Sequence, residues 1–522
     1  MNAFWQFRGG LCAYGFALAW LLCLRSNSAA SDWPQFRGGN HDAISTDRLN
    51  RQWTGSVTNP VWRVPVTNCL GSLAVSGGRV FTQTRRSVAG TDQEICVALD
   101  AATGAEQWAT PVDKAFYPNG GVGFDDGPRT TPAVEGDSVF VLSSYLNLYR
   151  LNATNGEVIW QKELLDEYGG TVIAYQNAAS PVVENGLIYL NANCGTSTLM
   201  ALHTTDGSLA WRSQNEATTH STPTLATIQG VRQIIFATQS GLVSLDAFTG
   251  KPLWRFSYPF NYSTSIGISP VVYQDMVFVG GAHAYNMGSV CMRATLFDGT
   301  WNVASLWFTN NPAAHWMTPV VRDGFLYGQF GIQFQFDSPD AQLKCIEMRT
   351  GAVKWSVAGF GRCATILVDD HLVSLTERGQ LVLIKPDTNA YNELGRFTAI
   401  PNYNDASNKC WNGPAVSDGR VFVRSTAFVA SFDLSVPPLK LDPPRFVAPG
   451  SVDLSIRTLT GAPIATNRLA NLEVRTTTNL SLAFTQWNAL TNSLVLTNGV
   501  VRLQSIGTAT HTQQFFNVSE PK

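Results

Sequence analysis

The chain has 522 residues, of which 44% are hydrophobic and 14% charged, with 44 Gly, 15 Trp and 28 Phe. That is ample material for a core, and the balance favours turn-rich β structure with aromatic packing. A net charge of −2 with no long run of either sign excludes the clustered Lys and Arg of a nucleic-acid binder.

Residues 1–30 read as a cleaved export signal. Arg8 is the only charged side chain ahead of an apolar stretch from Leu11 to Leu24, and Ser28 and Ala30 supply small residues for cleavage before Ser31. The apolar run falls short of the roughly 20 residues of a membrane span. Leu22, not a small residue, precedes Cys23, so release into the periplasm or the medium is expected over a lipid anchor. Seven cysteines then remain: Cys69, Cys96, Cys194, Cys291, Cys345, Cys363 and Cys410. An odd number leaves at least one thiol unpaired in an oxidising compartment, and none lies in a C-x-x-C pair, which argues against metal clusters and c-type haem. They are expected as buried small hydrophobes with one or two disulfides among them.

After an orphan tail, Pro60-Val-Trp62-Arg-Val, a motif recurs along the chain. Its clearest copy is Ala98-Leu-Asp100-Ala-Ala-Thr103-Gly104-Ala-Glu-Gln-Trp108, and relatives end at Gly156 and Trp160, Gly207 and Trp211, Gly250 and Trp254, and Gly351 and Trp355. A looser copy runs from Asp298-Gly299 to Trp307, and a degenerate one from Thr388-Asn389 to Leu394 lacks both Gly and Trp. Between these copies stand apolar strand pairs, most opened by Ser-Pro, Thr-Pro or Gly-Pro, as at Pro132, Pro181, Pro223, Pro270, Pro319 and Pro414. With versions lacking Pro at Leu73 and Thr365 there are eight pairs.

Each piece has a physical role. Asn-Gly or Asp-Gly closes a tight hairpin, because those residues tolerate positive φ. In Asp-x-x-Thr-Gly the glycine supplies positive φ while Asp and Thr bond the local backbone. The Trp then buries about 150–250 Å² of ring. Four strands in roughly 50 residues make one propeller blade. The expected fold is therefore all-β: an eight-bladed β-propeller over 31–434, wedged by Trp62, Trp108, Trp160, Trp211, Trp254, Trp307 and Trp355. Eight inner pairs but only seven complete blades leave one blade short of its outer strand, and residues 60–66 are expected to fill that place beside 410–434, so that no edge is left exposed.

The Ala-x-Asp-x-x-Thr-Gly-x-x-x-Trp pattern resembles the repeat of pyrroloquinoline-quinone (PQQ)-type propellers. That family includes quinoprotein alcohol dehydrogenases and the outer-membrane assembly lipoprotein of the Bam machinery. Trp33-Pro-Gln-Phe-Arg37-Gly38 is similar to the opening of secreted bacterial proteins of this kind, and the likeness covers about residues 33–434. For quinone chemistry the resemblance implies an adjacent-cysteine disulfide, a calcium ion held by carboxylates and amides, and a catalytic Asp. No Cys-Cys pair exists here, and no ligand set can be matched residue by residue. Asp125 and Asp126 are the metal candidates, with a solvated loop as the alternative.

In a propeller the loops ahead of the inner strands converge at one mouth of the channel. They carry Arg129, His220, His315, Trp316, Arg362, Lys409, Trp411 and Asn412. Cations, imidazoles and indoles around one funnel suit an anionic or aromatic ligand, while the competing reading has them plug the channel. His41, His203, His283, His371 and His511 read as ordinary loop or strand residues, and no nucleophile elbow, P-loop or H-E-x-x-H occurs. No catalytic residue is assigned.

Residues 435–450, rich in Pro, read as a stiff linker. Residues 451–522 alternate apolar and polar positions and read as a small β-sandwich-like module. The whole is expected to be a monomeric, noncatalytic, secreted or periplasmic binding scaffold that neither spans a membrane nor binds nucleic acid. Its partner is a protein, a polysaccharide or a small anionic or aromatic ligand. The alternative is a dehydrogenase using PQQ and calcium to oxidise an alcohol or sugar.

Overall fold

Four strands at a time, the chain pairs each segment antiparallel with the next. This computed structural model describes residues 32–117, 127–258, 267–281, 288–309, 314, 316–331, 341–404, 406–508 and 514–520. The chain divides into two compact units, Ala30–Ser435 and Val436–Lys522.

The described residues of the first unit form eight sheets. In seven of them the four strands follow one another in sequence. The eighth takes Ala415–Ser417, Arg420–Arg424 and Phe428–Asp433 from the end of the unit and Trp62–Pro65 from its beginning. Trp62 lies opposite Ser431 and Pro65 opposite Phe428, the strand exchange expected from the orphan tail. First strands lie against first strands: Ala74–Ser76 contacts both Ala133–Glu135 and Ala415–Ser417, and Val320–Arg322 contacts Val271–Tyr273 and Ala364–Val368. The first strands therefore line the axis and the fourth strands the rim. In such a meander the first–second and third–fourth turns share one end, here the lower. The second–third turns and the connections between sheets share the upper end.

The repeat motif is a dock for the neighbouring sheet. Asp100 Oδ1 accepts from the backbone of Ala102 and Thr103 and from the Thr103 hydroxyl at 2.8–3.0 Å, which folds the turn. Gly104 follows with φ of 75°, and a Cβ there would fall 2.7 Å from the ring of Trp62. The same holds for Gly156 under Trp108, Gly250 under Trp211 and Gly351 under Trp307, at 2.6–2.9 Å, and more loosely for Gly207, 3.2 Å from both Trp160 and Lys162. Each indole N–H then donates to a carbonyl of the turn it covers: Trp62 to Ala101, Trp108 to Ala153, Trp160 to Thr204, Trp211 to Ala247 and Trp307 to Met348, at 2.8–3.1 Å. An aromatic residue on the second strand backs the ring, as in Phe81–Trp108 and Tyr189–Trp211, with centroids 5.9 and 6.1 Å apart.

Two repeats depart from this. The looser copy at Asp298 is not a five-residue turn: Asp298 and Gly299, with φ of 46° and 74°, form a two-residue hairpin between Ser289–Phe297 and Thr300–Thr309. Trp254 consequently has no such turn to cap and bonds Gln233 Oε1 of its own sheet at 2.6 Å. Trp355 of the sixth sheet still finds a turn carbonyl of the seventh, Asp387 O, at 2.7 Å. The missing Trp of the seventh sheet is replaced by Trp53, which lies over Gly395 and packs edge-on to Phe397 at 5.5 Å.

The seven cysteines from Cys69 to Cys410 are all buried and unpaired, which corrects the expectation of disulfides. Burial pushes the thiols of Cys291 and Cys363 up to about 12 and Cys345 to about 11. In the second unit the Pro-rich stretch is not a free linker, because Leu439–Leu441 and Arg445–Ala448 both pair with Ser451–Thr458. Prolines at 437, 438, 443 and 444 flank these strands and leave their pairing amides intact. A second sheet joins Asn488–Ala489, Glu473–Thr477 and Phe515–Ser519. A shared apolar core, with Leu454, Val474, Leu503 and Phe516, is supplemented by an Arg468–Glu520 ion pair at 2.7 Å. No helix among the described residues is long and apolar enough to cross a membrane.

Candidate functional site

The described members of the predicted mouth set, Arg129, His220, Trp316, Arg362, Lys409, Trp411 and Asn412, stand on connections entering the first strands, at the upper end. Those of the sixth, seventh and eighth sheets gather into one cluster. Arg362, just ahead of Ala364–Val368, pairs with Glu377 through Nη1 and Oε1 at 2.7 Å, with side chains 6% and 1% exposed. Glu377 comes from the second–third turn of the same sheet. Its Oε2 accepts the Arg362 backbone N–H at 3.1 Å, and its Oε1 also accepts from Trp411 Nε1 at 3.1 Å and Tyr403 OH at 3.3 Å. Gly361, at φ of 60°, lets the carboxylate in, since a Cβ there would sit 2.3 Å from Oε2.

The aromatic faces are taken as well. The Arg362 guanidinium lies 4.0 Å from the Trp411 ring centroid and 5.2 Å from that of Trp316. The two indoles are 5.5 Å apart at 34°, and Lys409 Nζ is 4.9 Å from the Trp411 ring. Asn412 turns away to the seam between the eighth and first sheets, where its Nδ2 donates to Gly71 O at 2.6 Å.

On the other side of the mouth, His220 Nε2 meets the carbonyls of Gln176 and Ala174 at 2.9 and 3.2 Å. Burial and then the charge of Arg129 hold it down at about 4, so it is neutral near pH 7. His315, Asp125 and Asp126 lie outside the described residues. Sequence reasoning missed Glu377 and Tyr403. It also missed Glu94, which burial raises to about 7, with Oε1 bonded by Tyr117 OH at 2.7 Å and Oε2 by the Ser144 N–H at 3.0 Å.

Both oxygens of Glu377 are engaged by donors, and burial raises the adjacent Cys363 thiol to about 12. The described residues do not fit PQQ with calcium. A planar tricarboxylate needs an open aromatic face beside free cations, yet here Trp316, Trp411 and Arg362 stack on one another. Among the described residues no three His, Cys, Asp or Glu converge as metal ligands.

Residues 91–357 match the family described as outer membrane protein assembly factor BamB. A relative of that name from Yersinia pestis is 28% identical over 159 residues, which cover 29% of this chain and 35% of the relative. Another, from Moranella endobia (strain PCIT), is 22% identical over 317 residues, covering 59% and 62%. The chain thus spans about one third and three fifths of these relatives. Among solved structures, the quinohemoprotein alcohol dehydrogenase from Comamonas testosteroni superposes with a TM-score of 0.56 at 13% identity, covering 84% of each chain. One from Pseudomonas putida HK5 gives 0.50 at 11%, also over 84% of each. At these identities the likeness is one of fold alone.

Proposed function

This chain belongs to the family of the outer membrane protein assembly factor BamB, and on that premise we propose that it is a noncatalytic extracytoplasmic propeller that binds a protein partner. The partner engages the upper end, where loops can vary without disturbing the Trp docks. The observation that carries this reading is the closed Arg362–Glu377–Trp411–Trp316 cluster, whose charges and ring faces are consumed by internal contacts. Such a cluster holds a binding surface in one shape and offers no reacting group. A role in outer-membrane assembly belongs to the proteins of that name and is part of the proposal here.

The test is direct. Purified protein is titrated with PQQ and Ca²⁺, and reduction of an artificial electron acceptor is followed with alcohols and sugars. The reading expects neither saturable quinone binding nor turnover, together with site-specific crosslinks from upper-end residues to envelope proteins. Saturable quinone binding with dye reduction overturns it.

A further inference from the structure

Residues 33–50 belong to no single sheet. They cross the axis of the first unit towards its lower end and touch inner strands and lower turns and, through Arg37, the residues entering the sixth inner strand. Trp33 exchanges both backbone hydrogen bonds with Val75, at 2.9 and 2.8 Å, and Pro34 O accepts from the Val134 N–H at 2.8 Å. The Gln35 side chain then acts as a short piece of strand: its Oε1 accepts from the Val183 N–H at 3.0 Å and its Nε2 donates to Val183 O at 3.1 Å. Those three contacts serve the first, second and third sheets.

Further along, Ala43 O accepts from the Leu367 N–H at 2.9 Å, and Ile44–Ser45 adds a parallel fifth strand to Ala364–Val368 of the seventh sheet. Asp47 Oδ2 accepts from the Gly419 N–H of the eighth at 3.1 Å. Arg37 reaches the sixth. Its backbone is left-handed, with φ of 66°. Its guanidinium donates to Thr318 O and Pro319 O at 3.2 and 3.1 Å, and to His41 O and Asp42 O at 3.2 Å. Gln35, Arg37 and His41 are all buried.

The physical need is plain. Every inner strand presents an unpaired edge of N–H and C=O groups to the axis, and an edge left open is both costly and adhesive. A segment that pairs with six sheets in turn satisfies those groups and ties together sheets that otherwise touch only their neighbours. We propose that residues 33–50 form a built-in stopper, which closes the lower mouth of the channel and clamps six sheets at once, so that anything entering the channel does so from the upper mouth. This goes beyond the scaffold reading and does not depend on which partner the upper end binds.

Hydrogen exchange of the full chain tests it. The amides of Val75, Val134 and Leu367 donate to backbone of the segment and that of Val183 to its Gln35 side chain, in four different sheets. If the segment is one stopper, peptides containing these four amides are protected as strongly as sheet interiors such as Val97. Arg37→Ala, which touches none of those bonds, then speeds the exchange of all four together by about tenfold or more, while Val97 keeps its rate. Gln35→Ala, which removes the acceptor of the Val183 amide itself, speeds the other three in the same way. The proposal is overturned if Arg37→Ala changes exchange only around Thr318, or if the four amides exchange freely in the unaltered chain. The second outcome remains readable should a variant fail to fold.

Discussion

Gly136 and Gly156 both belong to the second sheet and both have left-handed backbone, with φ of 56° and 75°. They differ in what a side chain would meet. A Cβ at Gly136 has nothing within 4 Å, whereas one at Gly156 falls 2.6 Å from Trp108 Cε3 and 2.7 Å from Thr110 Oγ1. Gly136→Ala should therefore cost only the left-handed strain, about 1 kcal/mol. Gly156→Ala carries that cost plus overpacking of a buried ring, another 1–3 kcal/mol or so. The gap of about 2 kcal/mol measures the dock itself.

Urea unfolding of both variants, alone and combined with Trp108→Ala, separates the terms. Trp108→Ala alone should cost about 3–5 kcal/mol, since the ring is 8% exposed and bonds Ala153 O. In its presence the penalty of Gly156→Ala should fall towards that of Gly136→Ala, leaving only the contact with Thr110 Oγ1, a coupling of about 1–2 kcal/mol. Equal costs for the two glycines, or additivity in the cycle, would refute the claim that the motif's glycine exists to seat the neighbouring indole.

Four further outcomes follow from the same structure. Glu377→Ala leaves the Arg362 cation buried without its carboxylate, and should lower the urea midpoint by the equivalent of about 3 kcal/mol, with Arg362→Met and Glu377→Leu together recovering most of it. Glu94, raised from 4.5 to about 7, holds its proton more tightly in the folded chain. Its contribution therefore weakens as pH climbs from 4.5 to 7, by about 3 kcal/mol, and Glu94→Gln should flatten that slope in urea midpoints measured against pH. His220 and His41, lowered from 6.5 to about 4 and about 3, act in the opposite sense: stability is lost as pH falls below 6.5, and His220→Gln or His41→Gln should reduce that loss. Lastly, a soluble thiol reagent should label the seven cysteines from Cys69 to Cys410 only on unfolding; rapid labelling of the native protein would contradict their burial.

The sheets were legible because their signals are local: Asp-x-x-Thr-Gly followed by Trp marks a turn and a wedge wherever it stands. The pairing of Trp62–Pro65 with Phe428–Asp433 was legible by counting strands rather than by pattern. What escaped is what depends on distant neighbours. Glu377 sits in Thr376-Glu-Arg-Gly379, which reads as an ordinary polar turn, and only the tertiary fold sets it against Arg362. Residues 33–50 carry no strand periodicity because successive stretches of them contact different sheets. The Asp298-Gly299 hairpin was misread because Asp, Gly and a later Trp occur in the right order. Their spacing, however, belongs to a two-residue turn.

These departures bear on function. The dock tolerates lapses: the fifth sheet has lost its turn and Trp254 bonds Gln233 instead, while the seventh has lost its Trp and borrows Trp53 from the N-terminal segment. All of these contacts lie between neighbouring sheets or at the lower end, where residues 33–50 add a further constraint. The connections at the upper end take no part in the Trp docks; there Arg362 and Trp411 are held by Glu377 and His220 by the Gln176 carbonyl. On the proposed reading, a scaffold whose Trp docks and N-terminal segment hold its lower end would present its recognition surface at the upper end.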